Sequence, residues 1–355
     1  MAYSTIDKSS LHFNTKLYTG NGTAIGSGGQ AITGVGFQPD WVWIKERSST
    51  SPHKILDSLR GVTKELESNT NNAEATESES LTAFGADGFT VGSNGAVNQN
   101  SETYVSWNWK AGTTGSGTTT GSGYGKAYSY SVNTTAGFSI IKYIGNGTGG
   151  HTIPHHLGVT PEFIIVKNLD SAVDWRTFHK DTPNANTRAI KLNSNDYWNT
   201  DSGWWNDTSP GSSVFTVGNS TATNTDGTNY IAYCFVSKIG YQKIGAYAGN
   251  GSSSSPPFIY TGFKPSFIIM RKRDASDHWY IVDNKRIGYN DDNHGLYPNL
   301  TNVEYSGGAY DVDIYSNGFA PVTIDGMLNG DGDAYIYYAV GQTLVGSNNQ
   351  PSTAR

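Results

Sequence analysis

The phrase Tyr-x-Gly-Asn-Gly occurs three times in this 355-residue chain, beginning at Tyr18, Tyr143 and Tyr247, with spacings of 125 (18 to 143) and 104 (143 to 247). Behind each copy, in the same order, come three further landmarks. A Gly-x-x-Pro turn leads, after one intervening residue, into an apolar run that ends in a cation: Gly36 to Pro39 then WVWIK, Gly158 to Pro161 then FIIVK, and Gly262 to Pro265 then FIIMR. A Phe-centred phrase follows at Gly88-Phe89-Thr90-Val91-Gly92 and Phe215-Thr216-Val217-Gly218, with a weaker copy at Gly318-Phe319. Each copy closes on an aromatic segment that opens with Tyr104, Tyr230 or Tyr335. Four landmarks in one order, three times over, predict three copies of one structural unit.

Each landmark reads as strand or turn. In the closing segments alternate residues share a face, so Val105, Trp107 and Trp109 lie together, as do Ile231, Tyr233 and Phe235, and Ile336, Tyr338 and Val340. That face is bulky and apolar in every copy, and the opposite face carries smaller residues. The unbroken runs WVWI, FIIV and FIIM suit strands buried on both faces at a sheet centre. Asn100-Ser101, Asp226-Gly227 and Gly330-Asp331-Gly332 supply hairpin turn chemistry before the closing strands. Helical signal is weak: Ile55, Leu59, Val62 and Leu66 have helical spacing within 51–67 and predict at most a short surface helix. The fold class expected is all-β, three tandem β-sandwich units of jelly-roll or lectin-like type.

The organisation predicted is an N-terminal arm over 1–11, repeats over 12–111, 136–237 and 238–345, a linker over 112–135 and a polar tail over 346–355. The linker rests on Gly112 to Gly125, GTTGSGTTTGSGYG, which has flexible-linker composition. A short join near Ser237 to Tyr241 predicts that the second and third repeats pack together.

Composition narrows the function classes. Charged residues are 15% of the chain, against about 25% in a typical soluble domain. A net charge of -6 with 24 Lys and Arg offers no basic patch for nucleic acid. One cysteine, Cys234, excludes an internal disulfide framework and every multi-cysteine metal site. The start, MAYSTIDKSSLHFN, has neither the basic nor the apolar region of a signal peptide, and no apolar run approaches the length of a membrane span. Synthesis in the cytoplasm without membrane insertion is expected.

The opening MAYSTIDKSSLHFNTKLYTGNG, the phrases GFQPDWVWIK, GFTVG and YIAYCF, and Pro154-His155-His156-Leu157-Gly158 resemble a repeated β-domain of unknown function in virion structural proteins of tailed phages, notably aquatic ones. The resemblance covers most of residues 1–345. It implies a non-enzymatic protein of the virion exterior, a tail fibre or adaptor in preference to capsid decoration. It also implies contacts with other virion proteins and with copies of itself, a trimer being the expected state.

Chemical motifs are sparse. No Gly-x-Ser-x-Gly elbow, phosphate loop or His-Glu-x-x-His occurs, so no catalytic residues and no cofactor are assigned. His151, His155 and His156 crowd one phrase, but without metal-finger spacing they read as structural, and no metal site is assigned. Asn329, Asp331 and Asp333 alternate like the start of a calcium loop, yet Val340 stands where its glutamate would be, so a hairpin turn is expected. Lys45 with Asp57, Lys167 with His179 and Arg271 with Asp283 share a spacing of 12 and read as charged pairs at strand ends. The Asn-x-Ser/Thr sequons at Asn21, Asn146 and Asn250 fall in the repeated turns and read as turn chemistry. Tyr197, Trp198, Trp204 and Trp205, set among Asn, Asp, Ser and Gly, are the candidate ligand-binding residues. Such aromatics stack on sugar rings, anchor an interface or plug a core. The alternative function is therefore recognition of a host surface polysaccharide.

Overall fold

The structure, a computed structural model, describes residues 4–6, 8–286, 290 and 294–343. The tail expected over 346–355 and the first three residues of the expected arm lie outside the described residues. The fold is all-β, of sandwich type, built from antiparallel sheets.

Each repeat contributes a main sheet whose four framework strands keep one spatial order: opening strand, closing strand, apolar run, fourth strand. In the first repeat these are Phe13–Thr19, Thr103–Trp109, Trp41–Glu46 and Lys54–Asp57. In the second they are Phe138–Ile144, Asn229–Phe235, Phe163–Asn168 and Arg176–His179. In the third they are Gln242–Ala248, Ala334–Thr343, Phe263–Lys272 and Tyr280–Asp283. The apolar runs are interior strands buried on both faces, which is why they carry no polar alternation. A smaller sheet covers one side of each main sheet. It is Gln30–Thr33, Gly88–Val91 and Leu81–Gly85 in the first repeat, and Ile259–Tyr260, Gly318–Pro321 and Val312–Tyr315 in the third. In the second, His151–Pro154 pairs with Val214–Val217.

The bulky faces of the closing strands do not point into these individual sandwiches. Trp41, Trp107 and Trp109 meet Phe163, Tyr233 and Phe235, and Phe267, Ile269 and Tyr338, in one core shared by all three repeats. Ring centroids of Trp41 and Tyr233 are 4.8 Å apart, those of Trp109 and Phe267 5.3 Å, and those of Phe235 and Tyr338 4.8 Å. The smaller-residue faces fill the separate sandwich interiors, as Ala232 and Cys234 do beside Ile164, Val166 and Phe215. Three sheets therefore turn one face inward around a common centre, and the repeats form a three-lobed body, not a string.

Polar contacts between repeats run in a cycle. Tyr233 of the second repeat donates its hydroxyl to Asp57 of the first at 2.7 Å. His179 of the second meets the carbonyl of Tyr337 of the third at 3.2 Å, and Trp107 of the first donates to Asp283 of the third at 3.0 Å. A second cycle lies beside it. Trp175 donates to the Glu67 carbonyl at 3.0 Å and Trp279 to the Lys191 carbonyl at 2.9 Å, while His53 lies against the backbone of Tyr297.

Three expectations are corrected. First, the 112–135 segment is not a flexible linker. Thr113–Thr118 pairs with Ala127–Asn133, which pairs with the opening strand of the second repeat, and Thr120–Gly121 joins that repeat's small sheet. Gly115 and Gly117 lie under the rings of Tyr130 and Tyr128, where a Cβ would come within 2.5 and 2.9 Å of ring or hydroxyl atoms. The glycines admit the aromatic cover and are not there for flexibility. Second, 51–67 holds no helix. Lys54–Asp57 and Lys64–Glu67 are antiparallel strands, and Ile55 and Leu66 are cross-strand partners. Third, Lys45 and Asp57 form no pair. Asp57 binds Arg60 at 2.5 Å, and Asp283 likewise binds Arg286 at 2.7 Å. Lys45 and Lys167 are wholly buried and donate instead to nearby carbonyls, those of Glu46 and Ser49 or of Asn168 and Ser171. Burial pulls both ammonium groups down to a pKa of about 8.

Candidate functional site

The four candidate aromatics divide into two pairs. Ser202–Trp205 forms a single helical turn, capped by the Asp201 carboxylate on the Gly203 amide at 2.8 Å. Gly218 donates its amide to the Trp204 carbonyl, so this turn runs beside the Phe-centred strand, on the side of the small sheet where the other repeats add Leu81–Gly85 or Val312–Tyr315. Trp204 and Trp205 are 5% and 1% exposed and complete the second repeat's interior, Trp205 donating to the Arg188 carbonyl at 2.9 Å. They are core residues.

Tyr197 stands at the surface, and Trp198 is half-buried, packed against the edge of the shared core. Tyr197 is 47% exposed and meets the Trp198 ring edge-on at 5.4 Å. One face of Trp198 is covered by the Arg188 guanidinium at 3.3 Å, and its indole N–H reaches the Asp274 carboxylate at 3.3 Å. Arg273 grips that carboxylate from Nε at 2.9 Å and from Nη2 at 2.8 Å, and these hydrogen bonds hold Asp274 below the usual carboxylate range. Beside the pair lies an open cleft of about 480 Å³ lined by Tyr197, Trp198, Asn199, Thr200, Asp201 and the edge of Trp204. Aromatic ring, amide, hydroxyl and carboxylate are the groups that bind a sugar. The sequence reading missed Arg188 and Asp274, which hold Trp198; Asp274 comes from the third repeat, and no spacing in the sequence marks a contact made between repeats.

The other candidate groups are engaged within the fold. His151 bonds Asn224 at 2.9 Å and Thr119 at 2.6 Å, His155 bonds the Gly211 carbonyl at 3.1 Å, and His156 bonds the Tyr128 hydroxyl at 3.0 Å. Burial drives His155 down to a pKa of about 4, so it is a neutral imidazole at pH 7. The three rings diverge to different partners, and among the described residues no three His, Cys, Asp or Glu side chains gather as a metal site. Asp333 pairs with Lys272 at 2.6 Å, and Asn329 is a buried bridge. Cys234 is buried and its thiol is pushed up by desolvation, which suppresses the thiolate.

Asn329 belongs to a triplicate device. Asn98, Asn224 and Asn329 are each fully buried and accept the amide of the Gly-Asn-Gly asparagine, Asn21, Asn146 or Asn250, at 2.8 to 2.9 Å. Their side-chain amides donate to the carbonyls of Gly92, Gly218 and Thr323. Six residues on, Tyr104, Tyr230 and Tyr335 stack on Tyr18, Tyr143 and Tyr247 at 5.0, 5.2 and 4.8 Å. The spacing Asn-x5-Tyr is present in all three copies of the sequence and marks this device.

Residues 8–343 match the model of DUF7483, a domain of unknown function, and the chain belongs to that family. The match spans all three repeats as one stretch, in keeping with their shared core. No curated protein and no solved structure matches the chain.

Proposed function

We propose that this DUF7483 chain is a non-enzymatic structural protein on the exterior of a tailed-phage virion, a tail-associated adaptor or fibre component in preference to a capsid decoration. The observation that supports the reading is where the chemistry-bearing groups go. The buried Asp57–Arg60 and Asp283–Arg286 pairs, the three bridging asparagines and the buried histidines bond one another and the backbone, and none converges on a cleft. A framework that directs its polar groups inward is suited to holding a shape under load. A three-lobed body with one centre fits an adaptor or a terminal knob better than a shaft. Its partners in this reading are other virion proteins and further copies of itself, with the virion as its location after synthesis in the host cytoplasm.

Immunogold labelling of intact particles tests the reading. Label on the tail is expected; label spread over the head assigns the chain to decoration, and particles without label overturn the virion assignment. A single monomeric mass at high concentration in light scattering overturns the trimer.

One observation favours recognition of a host surface polysaccharide as the second reading: Tyr197 and Trp198 line a polar, open cleft. This reading now rests on those two residues, since Trp204 and Trp205 are buried. Tyr197→Ala, at an exposed ring, loses binding on a host-glycan array with an unchanged circular dichroism spectrum if it is right; unchanged binding, or no binding by the native chain, refutes it.

A further inference from the structure

The pseudo-threefold arrangement creates three equivalent seams, each along the outer edge of an opening strand, and among the described residues one of them carries an added strand. Between the first and second repeats, Ala127–Asn133 lies along Phe138–Ile144 as an added strand, in register from Asn133 opposite Phe138 to Tyr128 opposite Tyr143. Between the second and third repeats, Gln242–Ala248 is the outermost strand of its sheet among the described residues. Two adjoining hollows of about 450 and 430 Å³ run along this edge, between Glu162, Lys180 and Asp181 on one wall and Phe258 and Tyr260 on the other.

The backbone of this edge is set for pairing. The Ile244 amide donates outward to Ser237 Oγ at 3.1 Å, and a strand alternates the direction of its polar groups, so Ala246 and Ala248 also point away from the closing strand. Both alanines are exposed. In the filled seam the matching residues are Ile140, Lys142 and Ile144, and the first two of these face Ser131 and Ser129. Natural sheets protect open edges with charge, and Lys243 is the one charged residue on this strand. It lines both hollows, with its ammonium bound to the Tyr260 carbonyl at 2.6 Å and 5.5 Å from the Tyr260 ring, so an incoming ring meets a cation on the sandwich-side wall.

We propose that the Ile244–Ala248 edge is a docking site for an extended strand of a partner protein in which aromatic residues alternate with small hydroxyl residues. The occupant is read from the filled seam. There Tyr128 and Tyr130 lie on the sandwich side, with His156 stacked on Tyr130 at 3.6 Å, and Ser129 and Ser131 alternate with them. In the open seam the sandwich-side wall carries Phe258 and Tyr260, each 51% exposed, as surfaces for such rings. Backbone pairing supplies the affinity and the alternate pockets the selectivity, the mode of β-augmentation. The assignment goes beyond the virion reading and does not depend on it.

The test is amide hydrogen exchange on the full chain with a synthetic peptide of the sequence KAYSYSVN, residues 126–133. At about nine times its dissociation constant the peptide slows exchange of the Ala246 and Ala248 amides about tenfold. The same peptide N-methylated at the positions of Ser129 and Ser131, whose amides face the edge, gives no slowing. Ala246→Pro abolishes the effect while the Ile268 and Tyr338 amides stay protected, since proline is tolerated where an edge N–H points outward. No slowing at saturating peptide, equal slowing by the N-methylated peptide, or slowing confined to Phe138–Ile144 overturns the proposal. Self-association that disappears in Ala246→Pro, without any peptide effect, reassigns the edge to a second copy and also overturns it.

Discussion

Truncating Trp107 to alanine separates a shared core from three independent sandwiches. Trp107 is fully buried in the first repeat, with its ring 6.0 Å from Trp43 and 5.5 Å from Phe267 of the third, and its indole N–H on the buried Asp283 carboxylate. Removing so large a side chain costs about 3 to 5 kcal/mol for transfer and cavity. Losing a hydrogen bond to a charged acceptor adds about 1.5 kcal/mol, the low end of the range, because Asp283 keeps Arg286 at 2.7 Å. A total near 5 kcal/mol is a large fraction of the stability of any single cooperative domain, about 5 to 15 kcal/mol.

The discriminating measurement is where that loss is felt. With one core, urea unfolding remains a single transition, and its midpoint falls by between about 1 and 2 M at an m of about 3 kcal/mol/M. Native-state hydrogen exchange then shows the slowest amides of the second repeat, such as Ile140 and Ile165, losing the same free energy as those of the first, although neither residue adjoins Trp107 in sequence. Undiminished protection at Ile140 and Ile165 with a destabilised first repeat would refute the shared core and return the fold to independent units.

Acid sensitivity follows from His179. Burial lowers its pKa to about 4, below the ordinary imidazole value of about 6.5, so the unfolded chain takes a proton that the fold excludes; its contribution is full above about pH 6.5 and is lost as pH falls toward 4, about 3 kcal/mol in all. His179→Gln flattens that limb of a stability-against-pH curve, and an unchanged limb contradicts the assignment. Asn224→Ala strands the Asn146 amide and the Gly218 carbonyl, for a loss of about 3 kcal/mol in chemical denaturation; a loss under 1 kcal/mol would mean that water replaces the bridge. Gly115→Val forces the Tyr130 ring off its strand and exposes Ala127–Asn133 to proteolysis, whereas a true linker would tolerate the change without added cleavage.

The repeat, the strands and their faces were legible because each is a local property: spacing of landmarks, period-two alternation, apolar runs, turn residues. What faces what was not. Alternation places Trp107, Tyr233 and Tyr338 on one face of each closing strand, but it is silent on whether that face meets its own small sheet or two sister sheets. The false helix arose the same way. Ile55 and Leu66 have helical spacing by coincidence of separation, and a hairpin brings them opposite one another, so their contact comes from pairing and not from turns of a helix. Composition misled at Gly112 to Gly125, where glycine and serine looked like slack. The informative pattern was the partner strand, whose Tyr128 and Tyr130 stand opposite Gly117 and Gly115. At the site, the sequence offered four aromatics on one polar loop, and Trp204 and Trp205 turn inward because their helical turn packs beside the Phe-centred strand, a contact that no local spacing marks.

The departures from threefold repetition are the places where demands other than folding can act. Asp57–Arg60 and Asp283–Arg286 occupy two seams, while the third has His179 and Thr182 at the matching positions, so the second repeat trades an ion pair for a neutral imidazole on a carbonyl. The same repeat carries the added hairpin over 113–133, and its small sheet takes the Trp204–Trp205 turn in place of a third framework strand. The segment between Arg188 and Asp201 leaves the framework and presents Tyr197. A chain shaped only by the need to close three lobes would gain nothing from this concentration of differences in one of them. The proposed strand-docking edge, Ile244–Ala248 of the third repeat, lies at the seam with this most altered repeat, and loss of peptide protection in Ala246→Pro is the result that would tie the asymmetry to binding.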